Sequence, residues 1–151
     1  DNIEPTNRVG LAVFSEGTRV VVPMGSFETN ESTLRTQINS LRPEGGTELY
    51  GAIENIVGEM NEAADEDRIR AVVLLSDGED TGNRGATLND ATQAVNASRD
   101  ALNPVIVIPV AYGSNADINA LNSIARSSNT RVQSGDPENI LNVLDIISSY
   151  F

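Results

Sequence analysis

Two apolar runs constrain this chain more than any other feature. Residues 70–76 read RAVVLLS and residues 105–111 read VIVIPVA. Both are too short for a buried helix, and neither alternates apolar with polar positions. Runs of this kind are strands covered on both faces, the pattern of a parallel sheet between layers of helices. The flanking segments agree. Residues 87–102 read as a helix of Ala, Val and Leu among polar positions, ended by Asn103-Pro104. Residues 117–127 carry Ile118, Leu121, Ile124 and Ala125 on one helical face, and residues 131–133 read as a brief strand. Asp136, Pro137 and Glu138 make a helix start, with Ile140, Leu141, Leu144 and Ile147 as the apolar face behind it.

The first half begins differently. Residues 8–15 (RVGLAVFS) and 18–22 (TRVVV) flank Glu16-Gly17 and predict a β-hairpin, with Pro23 placing its second strand at a sheet edge. Ser32 is positioned to cap a helix through Leu34, Ile38 and Leu41 that Pro43 stops. A second helix is expected over residues 48–64, with Leu49, Ile53, Ile56, Val57 and Met60 on one face, followed by a solvated acidic stretch over residues 62–67. The fold class is therefore α/β: a doubly wound, mostly parallel sheet with one antiparallel edge strand and helices on both faces. Right-handed crossovers bring the strand ends at Ser15, Ser76 and Gly113 to one rim. A length of 151 residues fits one domain.

Composition removes several chemistries. There is no Cys, no His and no Lys; all ten cations are Arg. No thiol nucleophile, zinc–thiolate site, Ser–His–Asp triad, Schiff base or phosphate-loop lysine can be built. A net charge of -12 argues against nucleic acid and against an anionic membrane surface as partners. No apolar run approaches the roughly 20 residues that span a bilayer. The chain opens Asp1-Asn2-Ile3-Glu4, without a leader-like segment, so it reads as cytosolic or as a piece of a longer exported protein.

Two loops carry the candidate chemistry. Gly45-Gly46 lets the backbone bend sharply and presents the hydroxyl of Thr47 at a helix start. Asp77 opens the polar turn Asp77-Gly78-Glu79-Asp80 at the end of a wholly apolar strand. Separately, these are a Thr-capped helix after a flexible loop and an ordinary strand-ending turn. Together on one rim, a hydroxyl and carboxylates form a hard oxygen environment suited to Mg2+, Mn2+ or Ca2+. One Thr and one Asp are too few ligands for such an ion.

The order VGLAVFS, GGTELYGAI, VVLLSDGED, VIVIPVAYGSNAD and NILNVLDIISSYF resembles a von Willebrand factor A-type domain of the bacterial exported branch, over nearly the whole chain. The resemblance implies a metal-ion-dependent adhesion site at the C-terminal rim of the sheet, with Thr47 as a direct ligand and Asp77 reaching the metal through water. It implies a non-catalytic binding module, a protein partner that completes the metal shell with its own carboxylate, and an extracellular or cell-envelope location. The family's opening strand and its Asp-x-Ser-x-Ser motif have no counterpart here. Residues 1–7 resemble the tail of the helix after that strand, so the chain reads as an N-terminally truncated domain. Its metal site would be weak or absent unless another chain or fragment supplies the missing strand. The alternatives are a degenerate scaffold without a working metal site and, less in keeping with the missing Lys, a divalent-metal enzyme or phosphotransfer domain.

Overall fold

The hairpin forms around the expected turn. β1 (Arg8–Phe14) pairs antiparallel with β2 (Thr18–Ser26), placing Phe14 opposite Thr18. The computed structural model describes residues 3–63, 67–82, 85–99, 103–136 and 138–148. β2 runs through Pro23 to Ser26, further than expected. Its outer side has no strand partner among the described residues, so the missing N–H of Pro23 breaks no ladder. The described part of the opening segment is a turn, not a helix tail, closed by Asn7 N donating to Glu4 O at 3.0 Å.

α1 (Phe27–Ser40) starts earlier than expected because Ser26, not Ser32, caps it. The Ser26 hydroxyl accepts from Thr29 N at 3.3 Å. Leu34 is buried against the hairpin, whereas Ile38 and Leu41 are exposed. α2 (Leu49–Glu62) buries Leu49, Ala52, Ile53 and Val57. Residues 64–66 of the expected acidic stretch lie outside the described residues.

β3 (Arg70–Ser76) and β4 (Val105–Tyr112) pair in parallel along their whole length, with Val73 opposite Ile108. α3 (Leu88–Arg99) crosses between them, and residues 100–102 of the expected helix lie outside the described residues. Thr87 and Asp90 box its start: each backbone N–H donates to the other's side chain. The Thr87 hydroxyl, donating at 2.7 Å, holds the Asp90 carboxyl below its ordinary pKa. α4 (Ile118–Ser127) is capped by Asp117, whose Oδ1 accepts from Ala120 N at 2.9 Å. β5 (Gln133–Gly135) adds to β4, and α5 (Ile140–Ser148) closes the described chain.

The fold class is α/β as expected, but the strands among the described residues form two sheets, β1-β2 and β3-β4-β5. α2 packs against strands of both. One apolar cluster joins Leu49, Ile53 and Val57 of α2 to Leu74, Val95, Val107, Leu121 and Ile124. A second, smaller cluster packs Ile147 of α5 on Ile108 and Val110. α5 faces the sheet with Ile140, Val143 and Ile147, leaving Leu141 and Leu144 exposed, contrary to the face read from spacing. β3 is also not covered on both faces as expected, because Val73 and Leu75 are exposed.

β5 reaches only Val110–Tyr112, so the first half of β4 lacks a strand on that side. Side chains take the place of the ladder. Val105 N donates to Ser98 Oγ at 2.8 Å and Val107 N to Ser128 Oγ at 2.6 Å. The Thr130 hydroxyl donates to Val107 O at 2.6 Å. Ser128→Ala would leave a buried N–H without an acceptor, so a loss of about 1–3 kcal/mol is expected in urea denaturation. An unchanged midpoint would mean that Val107 N finds another acceptor.

Candidate functional site

The rim is assembled by backbone hydrogen bonds between loops distant in sequence. Glu48 N donates to Ser15 O at 2.8 Å, joining the end of β1 to the start of α2. Thr81 N donates to Thr47 O at 2.8 Å, and Thr47 N donates to Thr81 Oγ1 at 2.8 Å. This reciprocal pair ties the loop before α2 to the loop after β3. The two glycines permit it. Gly45 has φ 71°, a left-handed conformation that disfavours side chains. A Cβ on Gly46 would come within 2.9 Å of Thr81 Oγ1, the acceptor of the Thr47 N–H.

Thr47 is not a helix cap. Glu48 holds the N-cap position of α2 and makes no side-chain capping bond there. The cap comes from another loop: Asp80 Oδ1 accepts from Tyr50 N at 3.2 Å, and its Oδ2 accepts from Gly82 N at 3.2 Å. A carboxylate at this helix N-terminus also suits the dipole. Asp80 thus has both oxygens engaged in holding the loops. Spacing alone gives no sign of this role, since Asp80 caps a helix that begins thirty-one residues before it.

The half-buried Thr47 side chain lies beside the Asp77 loop: a Cβ on Gly78 would stand 3.8 Å from Thr47 Oγ1. Asp77 itself is exposed. More carboxylates surround the place. Burial raises the Tyr50 phenol pKa, and the nearby charges of Asp117, Asp80 and Glu79 raise it further. The rim is anionic, and its donors are hydroxyl and carboxylate oxygens, which match a hard divalent cation. The match is partial. Mg2+ takes octahedral oxygen ligation, yet among the described residues no three acidic side chains are grouped to hold a metal. The residues fit part of a shell and do not complete one.

A model of the von Willebrand factor type A domain matches residues 1–145. No curated protein matches the sequence. Among solved structures, a von Willebrand factor type A protein from Catenulispora acidiphila superposes with a TM-score of 0.80 at 19% identity, covering 98% of this chain and 34% of that one. A conserved protein, BatB, from Bacteroides thetaiotaomicron gives 0.74 at 16% identity, covering 99% and 79%. The proximal thread matrix protein 1 of the mussel byssus, in a form with a zinc-occupied MIDAS motif, gives 0.72 at 22% identity, covering 93% and 35%. The chain spans about a third of the length of the first and third of these. Identities this low speak for the fold, whereas the sequence match extends from the first residue through most of α5. On that match, the chain belongs to the von Willebrand factor type A domain family.

Proposed function

We propose that this domain is a protein-binding module with a partial metal-ion-dependent adhesion site, in which Thr47 and Asp77 are metal ligands. Domains of this family commonly mediate protein interactions through such a site. The observation that carries the reading is the approach of the Thr47 hydroxyl to Gly78, next to Asp77. The ion would be Mg2+, with Mn2+ or Ca2+ as substitutes, and the partner a protein that offers a carboxylate. Binding to the 151 residues alone would be weak, because oxygen donors from a strand outside them, supplied by another chain or fragment, are needed to complete the shell. The domain would be one N-terminally truncated unit of a longer bacterial surface or exported protein. The exported setting is supported by the bacterial relatives, which include an aerotolerance-related membrane protein from Bacteroides fragilis. Among the described residues, no helix is long and apolar enough to cross a membrane.

Mn2+ titration followed by electron paramagnetic resonance tests the site. The unsubstituted chain is expected to bind Mn2+ weakly. Thr47→Ala and Asp77→Asn are each expected to weaken binding about tenfold, or 1.4 kcal/mol, with circular dichroism unchanged. If both variants bind Mn2+ as the unsubstituted chain does, the ion sits elsewhere and the site is lost. The lack of a third grouped carboxylate favours one other reading, a scaffold without a working metal site. In that case the unsubstituted chain would bind no Mn2+.

A further inference from the structure

Side chains fill only part of the space that β5 leaves open beside β4. β5 pairs with Val110–Tyr112, and Ser128 and Thr130 serve Val107 in place of a strand. Next to Val105 and Ile106 a cavity of about 350 Å³ remains, a size that small ligands and chain ends occupy. Pro104 leads into it ahead of β4, and the segment after α4 closes it. β4 runs from Val105 to the rim, so the cavity lies roughly 23 Å along the strand from the candidate adhesion site.

The closing segment is held in place by its own backbone. Ser128 N donates to Ile124 O at 3.2 Å, Thr130 N donates to Ala125 O at 2.8 Å, and Asn129 turns the chain at φ 56°. Ser128 is 8% exposed, and its hydroxyl accepts from Val107 N. A serine hydroxyl that accepts still has a proton to donate. Among the described residues that proton has no acceptor, although Ser128 is buried and lines the cavity.

Arg99, in the last turn of α3, is the second donor. Its Nη1 reaches Ser127 O at 3.4 Å, which sets the guanidinium beside the residue that precedes Ser128. Among the described residues no carboxylate pairs with Arg99, and no acidic residue lines the cavity. Arg126, in the last turn of α4, and Arg131, just past Thr130, add charge of the same sign to this segment. In a chain of net charge -12 such a place is unusual. An acceptor is present as well. Val105 N and Val107 N both donate to serines on the side away from β3. A strand residue turns its N–H and C=O to the same side, so Val105 O is directed to the cavity side of β4.

We infer that this cavity receives the C-terminal end of a peptide chain, its carboxylate held by the Arg99 guanidinium and the Ser128 hydroxyl. Two donors without a neighbouring acid call for an anionic acceptor, and a planar carboxylate matches the guanidinium fork. Val105 O suits the last peptide N–H of the ligand, which an inorganic anion lacks. Pro104 and Ile106 offer apolar contact to a small terminal side chain such as that of valine. Capture of a terminal carboxylate is a known mode of peptide recognition. The inference goes beyond the adhesion reading and involves no metal.

Nuclear magnetic resonance titration of the 15N-labelled chain, with chelator present, provides the test. The probe is an acetylated tripeptide of two alanines and a C-terminal valine. Its controls are the same peptide as a C-terminal amide, and acetylvaline. The acid peptide is expected to bind with a dissociation constant of about 1 mM and to shift the amides of Val105, Ile106, Asn129 and Thr130. The amide peptide is expected to bind at least about tenfold more weakly, because bonds to a charged acceptor are the stronger ones. Arg99→Gln, at an exposed position, is expected to weaken the acid peptide about tenfold with circular dichroism unchanged, and Arg99→Lys to weaken it less, since it keeps the charge without the fork. Ser128→Ala also costs stability, so Arg99→Gln is the deciding variant. Equal binding of acid and amide, unchanged binding to Arg99→Gln, shifts confined to the rim, or none up to about 10 mM peptide would overturn the site. Acetylvaline binding as tightly as the peptide would make the occupant a free small acid and overturn the chain end. Mn2+ failing to bind at the rim while the acid peptide shifts Val105 and Asn129 would sink the adhesion site and leave this one standing.

Discussion

Ile53→Ala is expected to lower stability by about 2–5 kcal/mol. Ile53 is buried in the main apolar cluster, in the middle of α2. α2 packs on β1 and β2 of one sheet and on β3 and β4 of the other. Among the described residues the two sheets share no ladder, so packing on this helix contributes much of what holds the hairpin to the rest. The cavity left by the shortened side chain therefore weakens both attachments at once. The same cluster holds Val95 of α3 and Leu74 and Val107 of strands fixed by parallel pairing, which limits collapse into the space. In urea the midpoint is expected to fall by about 1–2.5 M, given a slope of roughly 2 kcal/mol per M. Ile38→Ala is the comparison: Ile38 lies on α1 at 54% exposure, and its removal is expected to change stability by less than about 0.5 kcal/mol. A second expectation separates loosening from simple destabilisation. Amides of β1 and β2 are expected to lose protection in Ile53→Ala more than those of β4, because among the described residues α1 and α2 are the helices that pack most on the hairpin. Equal loss across both sheets would mean that they unfold as one unit.

The sequence is informative where a pattern is local. The apolar runs of β3 and β4, the hairpin turn at Glu16-Gly17 and the helix over residues 117–127 are each contained in a few consecutive residues, and each lies where its pattern places it. The closeness of the Thr47 and Asp77 loops is also legible, since crossover handedness sends successive strand ends to one rim. Helix faces are less so. Spacing tells which residues share a face, but not whether anything covers it, and Ile38, Leu141 and Leu144 are exposed for that reason. The residues that hold the rim and β4 together are hidden in a different way. Asp80 caps α2 from another loop, Thr81 clasps Thr47, and Ser98 and Ser128 replace a strand beside β4. Each is an ordinary polar residue in its own neighbourhood, and its role exists only through a contact with a distant segment.

Arg70 carries this lesson furthest, and its replacement is expected to have the second large effect. It opens the apolar strand β3 and is buried to 8% exposure. Its guanidinium donates to Met60 O at 2.7 Å, in the last turns of α2, and also to Asn103 O, just before β4. A helix leaves its final carbonyls without intrahelical donors, and a cation at that end opposes the negative pole. Arg70 thus clasps the end of α2 to the loop that feeds β4. Arg70→Met keeps most of the buried stem but removes both bonds and the charge. Hydrogen bonds to a charged group contribute about 1.5–3 kcal/mol each. Part of this is offset, because the guanidinium Nε is buried without a partner and the charge no longer needs desolvation. The net expectation is a loss of about 2–3 kcal/mol in urea denaturation. Arg70→Lys retains the charge but reaches one carbonyl at a time, so about half that loss is expected. A methionine variant as stable as the unsubstituted chain would show that the desolvation cost equals the value of the clasp. Arg70 sits at the opposite end of β3 from Asp77, roughly 20 Å away along the strand. Its effect is therefore expected to add to that of Thr47→Ala within about 0.5 kcal/mol and to leave Mn2+ binding at the rim unchanged.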